Sequence, residues 1–75
     1  MKIKASMKKV NEALNKISDV GSVTVNGSGG KVSVKGVDAN FSFDESSEEL
    51  TITITDKPWL VSESFVEDEI RKFFN

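Results

Sequence analysis

A chain of 75 residues, 37% of them hydrophobic and 29% charged, can form one thin-cored domain and is too short for two. It contains no Cys and no His, which excludes disulfides, thiolate metal sites and imidazole-based catalysis. No apolar run approaches the length of a membrane span, and Met1–Ala5 carries charge without an apolar stretch, so the expectation is a single α+β domain over residues 1–75 in the cytoplasm, with no membrane insertion.

The net charge of -2 is unevenly spread. Residues 1–35 hold seven Lys against two acids, whereas residues 36–75 hold ten acids against three bases. Such asymmetry can mark an interaction surface, but the reading preferred here is that the two ends of the fold lie side by side and neutralise one another.

In chain order, Ile3, Met7, Val10, Leu14 and Ile17 recur at helical spacing, with Lys8, Lys9, Glu12 and Lys16 between them. The spacing predicts a helix over about residues 4–18. Gly21 is expected to close it in the left-handed conformation. The period then falls to two. Ser22–Asn26 and Lys31–Lys35 alternate around Gly27-Ser28-Gly29-Gly30, which predicts a hairpin. After Gly36, a third strand alternates through Val37, Ala39, Phe41 and Phe43. A polar turn follows, and Leu50, Ile52 and Ile54 then alternate with Thr in the most β-branched segment. Pro58 ends that strand, and Trp59-Leu60-Val61 follows. A second helix carries Val66, Ile70, Phe73 and Phe74. Either Ser64 caps it with Glu67, or Ser62 caps it with Val61 and Val66 as a hydrophobic staple.

One-sided alternation in every strand points to an antiparallel sheet with one wet face. The expected architecture is α-β-β-β-β-α: a four-stranded antiparallel meander with both helices packed on its apolar face, the basic first helix beside the acidic second.

Little in the chain has the pattern of chemistry. Gly27-Ser28-Gly29-Gly30-Lys31 leads into a strand, whereas a phosphate loop leads into a helix. The acidic turn Asp44–Glu49 lacks the alternating ligands and central Gly of a calcium loop. Asp38 and Asp44 are six strand residues apart, about 20 Å, which is too far for paired acid–base work. Catalysis by a pocket combining Lys35, Asp38 and Asn40 is the residual enzyme reading. No catalytic residue, metal, cofactor or small-molecule substrate is therefore expected.

Two surfaces stand out. Trp59, Leu60, Val61 and Phe74 form an apolar group suited to a protein partner or a homo-oligomer. Lys8, Lys9 and Lys16 give the first helix a basic surface, the alternative being a nucleic-acid-binding module. Against nucleic acid stand the acidic pI near 5.0 and the scarcity of Arg and stacking aromatics.

Over residues 36–72 the chain resembles the polyhydroxyalkanoate-system protein family of bacteria. The stretch runs from Gly36-Val37-Asp38 through Glu49-Leu50-Thr51-Ile52-Thr53-Ile54 and Trp59-Leu60-Val61 to the helix Phe65–Lys72. The resemblance implies the same order of helix, four strands and helix, and a setting at storage granules. It carries over no catalytic residue. The chain departs from the family in lacking an early His, in having a single Arg, and in placing Ala39 where a second Gly is common. Nine Lys to one Arg suits an AT-rich genome and so equally a phage or bacterial orphan protein. The expected function is thus a non-enzymatic accessory protein acting through protein–protein contact or self-association.

Overall fold

The computed structural model describes residues 1–74. The elements are β1 (Lys2–Lys4), α1 (Met7–Val20), β2 (Ser22–Asn26), β3 (Gly29–Val34), β4 (Val37–Asp44), β5 (Glu49–Asp56), α2 (Glu63–Arg71) and a short 3-10 turn (Lys72–Phe74). The fold is α+β, with five antiparallel strands in one sheet, ordered β1-β5-β4-β3-β2.

The expected four-strand meander is present as β2–β5, and the correction is a fifth strand at its far edge. Lys2, Ile3 and Lys4 pair with Thr51, Leu50 and Glu49. Three residues are too few for a period of two to show, so Ile3 reads in the sequence as the first rung of a helical stripe. In the fold it sits half-buried opposite Leu50. Met1 extends the pairing, its amino group donating to the Ile52 carbonyl at 2.8 Å. The helix starts later, where the Ser6 hydroxyl accepts the Lys9 amide at 3.3 Å. Its buried stripe is Val10, Ala13 and Ile17, while Met7, expected inside, is 38% exposed.

Neither end of α1 carries the charge that would favour its dipole: Lys8 and Lys9 lie near its start and Asp19 near its end. Packing must therefore hold it. Gly21 ends the helix, but with φ -157° and ψ -147° and not in the left-handed conformation expected. Glycine is needed there for space, because a Cβ would run into the Ser33 carbonyl oxygen and crowd Val34.

The β2–β3 turn is two residues, Gly27 and Ser28, since Gly29 already pairs with Asn26. The β3–β4 turn is Lys35-Gly36, both with positive φ (52° and 82°), as a type I′ hairpin requires. Thr55 is an extra residue between the pairs Asp38–Asp56 and Ala39–Ile54, a bulge that the alternating pattern did not reveal.

The main core joins Val10, Ala13, Ala39, Phe41, Phe43, Leu50, Ile52 and Phe74. The helices share the apolar side of the sheet, yet they do not pack on it equally. α1 lies against β2, β3 and the 3-10 turn, whereas α2, which runs on directly into that turn, approaches the strands less closely. Phe74 reaches the core because the chain tightens after Arg71, and α2, which buries Val66 and packs Ile70 against that core, leaves a gap toward the sheet. Nor do the lysines of α1 pair with the acids of α2. The ion pairs among the described residues are Lys2–Glu49, Arg71–Asp68 and Lys72–Glu69. The one that joins the basic and acidic halves is therefore Lys2–Glu49, on the β1 edge.

Candidate partner-binding cleft

Because α2 stands off the sheet, a cleft of about 360 Å³ opens between them. Its floor is the inward face of β3 and β4, where Val32, Val34 and Val37 are only half-buried. Its walls are the C-terminal half of α1, through Leu14 and Ile17, and α2, through Val66 and Ile70. Two charged side chains line it, Lys35 from the β3–β4 turn and Glu69 from α2. Glu69 also meets Lys72 at 3.2 Å, an exposed pair of small energetic weight.

The segment after β5 forms one lip of this cleft. The Val61 amide donates to the Pro58 carbonyl at 3.0 Å, closing a turn with Trp59 and Leu60 at its corner. Lys57 braces the turn by donating from Nζ to the Val61 carbonyl at 2.7 Å. Pro58 and Val61 line the cleft, and Pro58 also lies beside the Lys35-Gly36 turn. Trp59 and Leu60 project into solvent, 85% and 79% exposed, with Phe65 at 55% just beyond. Ser62 then caps α2, its hydroxyl accepting the Phe65 amide at 3.2 Å. Val61 and Val66 stand at the two staple positions around that cap, so Ser62 and not Ser64 is the start signal.

Of the residues singled out from the sequence, Trp59, Leu60 and Val61 therefore share one lip. Phe74 does not join them at the surface: it is 8% exposed and part of the core. Phe65, read from sequence only as part of the second helix, completes the exposed group. Its exposure follows from the stand-off of α2, which no local pattern encodes.

Lys8, Lys9 and Lys16 are all exposed on α1. Glu12 lies one turn from each of them (i+4 from Lys8, i+3 from Lys9, i-4 from Lys16), so an acid interrupts the basic stripe. On the opposite sheet face, a shallow depression is lined by Thr24, Lys31, Ser33, Asp38, Asn40 and Thr55. Asp38 accepts the Ser33 hydroxyl there at 2.7 Å. Lys35 lines the apolar cleft on the other side, apart from Asp38 and Asn40. Among the described residues, no group of three or more acids is placed to hold a metal ion.

Asp44, in the β4–β5 turn, has its carboxyl held below the ordinary aspartate value, first by the Ser46 hydroxyl and then by the Ser46 and Ser47 backbone amides. The Ser46 hydroxyl and amide donate to its Oδ1 at 2.9 and 3.0 Å. This carboxylate organises its own turn and lies outside the cleft.

Comparison with protein-family models, curated proteins and solved structures gives no match to this chain.

Proposed function

We propose that this chain is a small non-enzymatic accessory protein that acts through protein–protein contact, and that its contact surface is the cleft together with the Trp59–Leu60 turn. The observation that carries this reading is the exposure of Trp59 (85%) and Leu60 (79%) on a braced turn at the lip of an apolar cleft. Singly exposed apolar residues are ordinary, but a Trp, a Leu and a Phe grouped at the mouth of an apolar recess are what partner-binding surfaces present. Held in one geometry by the 57–61 turn, Trp59 loses little freedom on contact, which favours affinity. The resemblance of residues 36–72 to the polyhydroxyalkanoate-system family adds a setting, an accessory role at a storage granule. A phage or bacterial orphan protein with the same contact surface is the companion reading.

Trp59 is the sole Trp, so its emission reports on this turn alone. In dilute, monomeric protein the emission should be that of a solvated indole, open to quenching by acrylamide, and contact should shift it to the blue. A blue, quencher-protected emission from the dilute monomer would mean that the turn packs internally, and the reading would fall.

A further inference from the structure

We infer that the partner on this surface is a second copy of the same chain, the Trp59–Leu60 tip of each copy seated in the cleft of the other about a two-fold axis. This rests on the contact reading above and adds to it the identity of the partner. Three observations favour it.

The chain carries both halves of the contact. The tip is convex and apolar and the cleft is concave and apolar, and they adjoin, since Pro58 and Val61 flank the tip and line the cleft. A patch that holds knob and hole side by side is self-complementary, and two-fold rotation then fills both holes at once and closes the assembly. Widely separated halves would instead build open chains.

The charges agree. The two charged side chains that line the cleft have opposite signs, Lys35 from the β3–β4 turn and Glu69 from α2. A two-fold contact that sets Lys35 of each copy against Glu69 of the other pairs both charges, and one that sets like against like is disfavoured.

The amount of surface also fits. A covered aromatic side chain contributes roughly 150–250 Å². Trp59 and Phe65, with Leu60 and the half-buried cleft walls, approach the lower range of specific interfaces, at about 600 Å² per partner or a little less. A weak dimer is therefore expected. A small apolar ligand would fill the cleft but leave Trp59 in water.

The test is sedimentation velocity from low micromolar to millimolar protein, with Trp59 emission read in the same samples. A monomer–dimer transition should appear, and the blue shift should share its midpoint. The paired change Trp59→Ser with Leu60→Ser should weaken the dimer by at least about tenfold. Val37→Glu, in the cleft floor, should do the same, with folding of each variant checked by circular dichroism. Mixed together, the tip variant and the cleft variant should recover a dimer, because one sound tip still meets one sound cleft.

Should Val37→Glu unfold the chain, the two charges that line the cleft give an independent test. Lys35→Glu and Glu69→Lys should each weaken association a few-fold, and the double exchange should restore it. A dimer indifferent to the tip variant would overturn the inference, as would a strict monomer. If a strict monomer still shows a blue shift of Trp59 on adding a synthetic amphipathic Leu/Lys helix, the second copy is wrong and the contact reading survives. If neither the chain itself nor the helix shifts the emission, both fall.

Discussion

Lys57 Nζ donates to the Val61 carbonyl oxygen at 2.7 Å, across the turn whose corner holds Trp59 and Leu60. The bond is partly buried and joins the end of β5 to the start of α2, so it sets the angle at which the apolar tip leaves the sheet. Replacing Lys57 by Met keeps the aliphatic stem and removes the charged donor. The expected outcome is a loss of about 1 kcal/mol in stability, with faster hydrogen exchange at the Val61 amide. Chemical denaturation and exchange NMR check the two parts separately.

The cap of α2 distinguishes two serines that look equally suitable in the sequence. Ser62→Ala should cost about 1 kcal/mol, because the Phe65 amide loses its acceptor. Ser64→Ala should change stability by less than about 0.5 kcal/mol, since Ser64 is exposed within the first turn. Equal losses would show that the cap had been misplaced. In the sequence both serines carry the features of a cap. The choice depends on where Val61 and Val66 find apolar neighbours, and that is decided by the cleft.

Two glycines of the β2–β3 hairpin should respond differently to alanine, for different physical reasons. Gly27 has φ +67° and open space around it, so Gly27→Ala is expected to cost roughly 1–2 kcal/mol for the backbone conformation alone. At Gly30 a Cβ would collide with the Thr24 carbonyl oxygen and sit 3.0 Å from the Phe41 ring, which covers that glycine. Gly30→Ala should cost roughly 2–3 kcal/mol and displace Phe41, seen as a change in its ring proton shifts. In the sequence these glycines form one Gly-rich turn. In the fold one shapes the turn and the other makes room for an aromatic ring.

The Asp44 carboxyl should titrate below the ordinary value of 3.8, held down chiefly by the Ser46 hydroxyl. Its folded pKa lies below its unfolded one, so its contribution to stability is present above about pH 4 and is lost as pH falls through the folded pKa. Carbon-detected NMR titration should show Asp44 titrating at lower pH than it does in a Ser46→Ala variant. An unchanged Asp44 pKa in that variant would show that the hydroxyl is not the main cause.

The amino-acid sequence by itself determined the parts that depend on near neighbours. Period-two alternation specified the strands β2 to β5 and which face of each is apolar, because a strand presents its side chains alternately whatever it packs against. The 3.6-residue stripe located α1, although not its first residue, and the missing His and Cys limit the chemistry whatever the fold.

Tertiary structure alone decided the rest. β1 exists because Leu50 and Thr51 offer it an edge, and three residues cannot announce a strand on their own. The Thr55 bulge arises from pairing between β4 and β5. Phe74 moves from the expected surface patch into the core because the 3-10 turn that ends α2 lies against α1, while a gap remains between α2 and the sheet. The stand-off opens the cleft and leaves Phe65 exposed beside Trp59 and Leu60. Local pattern shows which side chains are apolar. Whether an apolar side chain is covered depends on distances between elements, which only the packed chain sets.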